Sequence, residues 1–314
     1  MVQVDLITGF LGAGKTTFLR RYAAYLAGQG ERVCILENDF GAVNVDAMLV
    51  QDLLELGCEI ETISGGCDCD THQRRMRTKL ISMAMRGFTR VLVEPSGIFD
   101  VDEFFDVLRD DPLDRWYQIG NVIAIVDAML PETLSPQAEY ILASETANAG
   151  RVLLSRTKQA GPERCKAAAA HLTRALEGCK CSRRFAPEEI ITKDWADLTD
   201  EDLAAIAACG TRQASCEKLH FDEHEAFSSL CFLEQHLTLA QLQAAADRLF
   251  ADAACGHVLR VKGFAPDPQG ETGWLELNAT AAGKTLAPIP QGQDVLIVIG
   301  EGLDKAAIEA RLHG

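Results

Sequence analysis

The stretch Gly9-Phe10-Leu11-Gly12-Ala13-Gly14-Lys15-Thr16 places bare glycines just ahead of a lysine and a hydroxyl. Glycine lets successive main-chain N–H groups turn inward around a phosphate. Lys15 brings a positive charge to β and γ oxygens, and Thr16 offers a hydroxyl to Mg²⁺. Such a loop works only between a strand and a helix, whose N-terminus adds its positive dipole end. The runs Val2 to Thr8 and Phe18 to Leu26 read as that strand and that helix. Gly9, Gly12, Ala13, Gly14, Lys15, Thr16 and Thr17 are therefore expected to hold the phosphates of a nucleoside triphosphate, with Lys15 also acting in its hydrolysis.

Two further loops follow apolar strands and carry carboxylates. Val91-Leu92-Val93-Glu94-Pro95-Ser96-Gly97 sets Glu94 at a strand end, where open α/β sheets bind their ligands, and Gly97 there could turn its N–H toward a γ-phosphate. Glu37-Asn38-Asp39-Phe40-Gly41 follows Val33 to Leu36; its carboxylates could meet Mg²⁺ or a carried metal, and Asp39 is a candidate to organise attacking water. A helix cap or a solvated turn is the plainer reading of either loop. Ser64-Gly65-Gly66-Cys67-Asp68-Cys69-Asp70 brings two thiols one residue apart with adjacent carboxylates, a mixed sulfur and oxygen set suited to Zn²⁺, Co²⁺ or Ni²⁺. Glu37, Cys67, Cys69 and Asp70 are the expected metal-side residues, with Thr16 on Mg²⁺. His220 and His224 are spaced for one helix face but read as an interdomain linker, and Cys179-Lys180-Cys181 reads as a solvated loop.

These residues need a frame. Short β-branched runs (Val33 to Leu36, Ile60 to Ile63, Val91 to Val93, Val122 to Val126, Val152 to Leu154) alternate with helix-patterned stretches such as Arg74 to Met85, Cys165 to Leu176 and Leu203 to Ala208. That alternation predicts an α/β domain with a mostly parallel sheet over residues 1–212. Residues 213–314 predict a small α+β domain, with strands at Ser229 to Leu233, His257 to Val261, Trp274 to Leu277 and Val295 to Ile299. Helices are expected at Leu239 to Phe250 and Lys305 to Leu312, and FAPDPQGETG reads as a hairpin end. The 314 residues include 47% hydrophobic and 24% charged, globular values that exclude disorder and collagen. With 30 basic and 46 acidic side chains the formal charge is -16, a field that repels nucleic acid and anionic lipid. No apolar run approaches the roughly 18 residues of a membrane span, and the eleven cysteines lack the framework of a small secreted scaffold. A cytoplasmic protein is expected.

GFLGAGKTT (Gly9 to Thr17), ENDFGAVNVD (Glu37 to Asp46), EPSG (Glu94 to Gly97) and IVDA (Ile125 to Ala128) together resemble the CobW family of P-loop GTPases, relatives of the urease and hydrogenase nickel-insertion GTPases. HVLRVKGF (His257 to Phe264) and VLIVIGEGLDKAAIEARL (Val295 to Leu312) resemble that family's C-terminal domain. The resemblance implies a P-loop NTPase fold. It also implies a GTP-driven metallochaperone, using Mg²⁺, that delivers Zn, Co or Ni to a client metalloenzyme or a corrinoid-pathway protein, and a homodimer is compatible with it. Two departures matter. The family's G-C-x-C-C reads Gly66-Cys67-Asp68-Cys69-Asp70 here, which replaces a soft thiolate by a hard carboxylate and leaves open whether Cys58 compensates. The base-reading box N-K-x-D or T-K-x-D reads Ser155-Arg156-Thr157-Lys158, so Ser155 and Lys158 are the expected base-side residues. Lysine only donates, and a guanine edge left with buried unpaired donors costs about 1–3 kcal/mol each. GTP or ATP therefore both stand as expectations, as does a non-catalytic, nucleotide-dependent switch subunit that docks a metalloenzyme.

Overall fold

A computed structural model describes residues 1–39, 52–64, 69–95, 101–214, 216–217, 227–270, 273–289 and 292–313, with backbone alone at 38–39, 52, 64, 69–72 and 102–103. The chain divides into two compact units, Met1–Leu219 and His220–Gly314.

The first unit is built on a parallel sheet of seven strands in the order β3-β2-β4-β1-β5-β6-β7. The strands are β1 Val2–Thr8, β2 Val33–Asp39, β3 Glu59–Ser64, β4 Arg90–Glu94, β5 Tyr117–Asp127, β6 Arg151–Ser155 and β7 Ile190–Ile191. Its helices are α1 Lys15–Gly28, α2 Asp52–Glu55, α3 Cys69–Met85, α4 Val101–Arg109, α5 Leu113–Trp116, α6 Pro136–Ala147, α7 Thr157–Gly178 and α8 Asp200–Ala207.

Strands of a sheet covered on both faces must be apolar at every position, and successive side chains then divide between two cores. Val4, Leu6, Leu36, Val91, Val93, Ala124 and Leu154 share one core with Leu80 of α3, Phe104 of α4 and Leu172 of α7. Ile7, Ile35, Leu92, Ile123 and Leu153 share the other with Phe18, Leu19 and Tyr22 of α1 and Ile206 of α8.

At the foot of the sheet the fully buried Asp5 ties four elements together. Its carboxylate accepts from Tyr22 Oη at 2.7 Å, from Arg90 Nη1 at 3.0 Å, and from Asn121 N and Nδ2 at 2.9 and 3.0 Å. Asn121 in turn bonds the chain just after α8, accepting from Gly210 N at 2.8 Å. Burial raises the Asp5 pKa, and the Arg90 guanidinium opposes that shift.

The second unit is a five-stranded antiparallel sheet in the order β11-β10-β9-β12-β8, formed by β8 Ser228–Leu233, β9 His257–Pro266, β10 Trp274–Thr280, β11 Gly283–Ile289 and β12 Val295–Glu301. Helices α9 (Leu239–Ala251) and α10 (Lys305–Leu312) supply Leu242, Ala246, Leu249, Ile308 and Leu312 to a core shared with Val261, Leu277 and Val298. The turn after β9 closes through Asp267 N to Gly273 O at 3.0 Å, the hairpin end that the Pro-, Asp- and Gly-rich stretch predicts. The expected solvated loop at Cys179–Cys181 is corrected: Cys181 is 3% exposed. After α7 the chain folds back, Cys181 N donating to Leu176 O at 2.8 Å, and both cysteines pack against the main core.

Candidate functional site

The phosphate loop runs from the end of β1 to the start of α1, as a strand–loop–helix junction requires. Gly9 lies at φ 140°, and a Cβ there would stand 2.2 Å from Ile125 O on β5; only glycine fits against that strand. Gly14, at φ 102°, takes the N-cap position of α1 without a side-chain cap. The first N–H groups of a helix have no partner within it, and no acidic residue occupies the first turn of α1, so this end is electrostatically open to an anion. Lys15 is buried, and its Nζ donates to Gly9 O at 2.6 Å, which curls the side chain back over the loop.

Thr16 Oγ1 donates to Glu94 Oε1 at 2.8 Å. Glu94 ends β4 and is the register partner of Glu37 on β2. By the alternation described above, both carboxylates fall on the face that carries α1. They are 7% and 2% exposed. A hydroxyl and two buried carboxylates beside an anion-binding helix end form a hard oxygen donor set of the kind Mg²⁺ takes, and the residues fit that ion.

On the far side of the loop, the end of β5 and the turn after β6 close in. Arg156, at φ 55°, pairs with Asp127 through Nη1 at 2.9 Å and reaches Gly12 O through Nη2 at 3.4 Å. Burial raises the Asp127 pKa against the pull of Arg156. Ser155 is 4% exposed. Lys158 is largely exposed and pairs with Asp194 at 3.2 Å and Asp197 at 3.4 Å. The Trp195 ring lies 3.1 Å from where a Gly14 Cβ would be and meets Phe18 edge-on. Arg21 of α1 holds that loop by donating to the carbonyls of Trp195 and Leu198.

Lys15, Thr16, Glu94 and the loop glycines are thus brought together, with Glu37 beside Glu94 and Ser155 beside Gly14. Asp39 ends β2 and Cys69 and Asp70 open α3, their side chains outside the described residues; Cys67 and Gly97 lie wholly outside them, as do His220 and His224. Among the described residues no group of three His, Cys, Asp or Glu side chains is placed to hold a metal ion. Cys58 is buried at the amino end of β3, six residues before its carboxyl end. At about 3.3 Å per residue that is roughly 20 Å from the carboxyl end of the strand. Burial also raises its thiol pKa. Asp127, Asp194 and Trp195 were not signalled as site residues by sequence. Asp194 and Trp195 follow a strand of two residues, too short to register as apolar alternation.

The CobW/HypB/UreG nucleotide-binding domain family matches residues 3–183. Zinc chaperone YjiA of Escherichia coli (strain K12) is 32% identical over 170 residues, 51% of this chain and 51% of that protein, so the matched stretch spans about half the relative's length. Zinc chaperone CobW of Pseudomonas aeruginosa is 25% identical across 99% of this chain and 91% of its own. The Zn(II)-bound YjiA GTPase structure from E. coli aligns over 99% of this chain and 97% of that one at 22% identity and a TM-score of 0.37.

Proposed function

The chain belongs to the CobW/HypB/UreG family, and from that premise we propose that it is a nucleotide-hydrolysing metallochaperone. It binds a nucleoside triphosphate, GTP in first place, and hands a metal ion to a client metalloenzyme or a corrinoid-pathway protein in the cytoplasm. Zinc is the first candidate, because both matched proteins are named zinc chaperones; cobalt and nickel complete the set suited to thiolate and carboxylate donors.

The observation that carries this reading is the Thr16 to Glu94 hydrogen bond at the mouth of the glycine loop, with Glu37 alongside. In this reading Lys15 leaves Gly9 O to meet the β and γ oxygens, and the loop amides hold the remaining phosphate charge. A bound Mg²⁺ would supply neutralisation of the charge that develops on the leaving diphosphate. Thr16 and Glu94 hold its side of the site, and Asp39 with Glu94 orients the attacking water. Cys67, Cys69 and Asp70 carry the cargo ion. Their segment leaves β3 at the same carboxyl edge, which lets phosphate occupancy alter metal affinity.

The test is phosphate release from GTP and ATP with and without Zn²⁺, in the protein and in Lys15→Ala. Turnover that needs Lys15 and changes with metal supports the reading. Absence of turnover with intact nucleotide binding favours the second reading, a switch subunit that docks a metalloenzyme; the exposed Lys158 in the base box favours that reading.

A further inference from the structure

We propose that the carboxylate that reads the base has moved from the helix after β6 to the loop after β7: it is Asp194, held in place by Lys158. This rests on the nucleotide reading above and assigns its base edge.

The two loops close over one point of the phosphate loop. Ser155 Cβ stands 3.8 Å, and the Trp195 ring 3.1 Å, from where a Gly14 Cβ would be. Position 158, where the resemblance calls for an aspartate, is a lysine, and lysine cannot accept a hydrogen bond. Its ammonium does not face the site alone: it is paired with Asp194 Oδ1 at 3.2 Å and Asp197 Oδ2 at 3.4 Å. Two carboxylates against the Lys158 ammonium, with the Arg21 guanidinium also acting on Asp194, leave this edge with acceptors. The acceptor lost at residue 158 is restored 36 positions later in the chain.

Asp194 suits the role better than Asp197. Its side chain is 23% exposed against 60%. Its Oδ1 also accepts from Ala196 N at 2.9 Å, which fixes the carboxylate on the short turn Trp195–Asp197. Both contacts fall on Oδ1, and among the described residues no donor is bonded to Oδ2, whose lone pairs are open to incoming donors. That backbone bond and the Lys158 partner hold the Asp194 carboxyl below the usual range.

A buried hydroxyl at the point where the loops meet points to a ligand here. Among the described residues, Ser155 Oγ is buried without a hydrogen-bond partner. A cavity of about 640 Å³ opens at Lys158, Asp194 and Asp197 and continues along α7 past Cys165, Ala169 and Thr173, away from the glycine loop. The ligand edge that matches is a purine carrying a ring N–H and an exocyclic amine, both donors: guanine. Adenine presents a ring lone pair there, which a carboxylate repels.

The experiment measures GDP, IDP and ADP affinities calorimetrically for the full chain and for Asp194→Asn, Asp197→Asn and the double variant Lys158→Asp/Asp194→Asn. Asparagine keeps an acceptor for Ala196 N, and ADP binding reports whether the phosphate loop is intact. The expected result is GDP preferred over IDP and over ADP. Asp194→Asn should lower GDP affinity about 10- to 100-fold with ADP unchanged. Asp197→Asn should have little effect, and the double variant should regain GDP. GDP and ADP binding equally tightly overturns this proposal alone, as does an Asp194→Asn variant that keeps GDP or loses both nucleotides in parallel. If the unaltered chain binds no nucleotide, the nucleotide reading falls and this proposal with it.

Discussion

A methyl group at Gly9 would stand 2.2 Å from the Ile125 carbonyl oxygen, and main chain cannot swing aside as a side chain can. Gly9→Ala should therefore lower stability by about 2–4 kcal/mol, read as a fall in the denaturant midpoint, because positive φ strain adds to the clash. At Gly14 the obstacle is the Trp195 ring, so Gly14→Ala should cost less stability yet disturb nucleotide affinity more. At Thr16 only a hydroxyl is at stake. Thr16→Ala should weaken nucleotide binding about 10- to 100-fold in Mg²⁺ and little in EDTA, with Thr16→Ser restoring it; fluorescent-nucleotide titration in both buffers checks this. Lys15, Thr16 and the glycines are legible in sequence because their chemistry is local: eight consecutive residues carry strand exit, cradle and helix start. Asp194 and Trp195 are not, since their neighbours Lys158 and Gly14 are brought to them by crossover connections that no spacing reveals.

Helix α8 begins with a capping box in which Thr199 Oγ1 accepts from Asp202 N and the Asp202 carboxylate accepts from Thr199 N. Lys193 first, and Thr199 N with it, depress the Asp202 pKa to about 2. A depressed carboxylate contributes stability that is complete above its unfolded value near 4 and is lost as pH falls toward 2. Asp202→Asn should therefore flatten the melting temperature of the chain between pH 4 and pH 2, seen by circular dichroism. The strands easiest to read are those buried on both faces, such as β4, whose centre Val91-Leu92-Val93 is apolar at every position. Strand β11 was missed because it is an edge strand, largely exposed and carrying Pro288, so nothing in Gly283–Ile289 alternates. Helix α7 was read only from Cys165 onward: Gly161 breaks the helical path at φ 72° and ψ 170°, and Pro162 starts the regular part. Burial likewise lifts the thiols of Cys34 and Cys209 to about 12, so alkylation at pH 7.5 with peptide mapping should leave both unmodified in the folded chain.

For the whole molecule, two compact units with separate cores mean that a ligand on the first should not stabilise both alike. Saturating GDP at about 100 times its dissociation constant adds about 2.7 kcal/mol to the unit that binds it. Scanning calorimetry should then show the transition of residues 1–219 moving upward while that of residues 220–314 stays. The change of text after Gly210 and the strand spacing suggest a division near residue 212, and the family of the first unit is legible from its loops. The cargo loop stays an expectation, because Cys67 lies outside the described residues. Asp5 has its own consequence. Helix α1, strand β4 and strand β5 are all moored to that one buried carboxylate on β1, the strand that delivers the glycine loop. The loop thus stands on a fixed footing, and amide deuterium uptake should be slowest around Asp5, Tyr22 and Asn121 whether nucleotide is present or not. Any motion that links hydrolysis to metal hand-over would then have to travel along the upper rim of the sheet, over a base that does not shift.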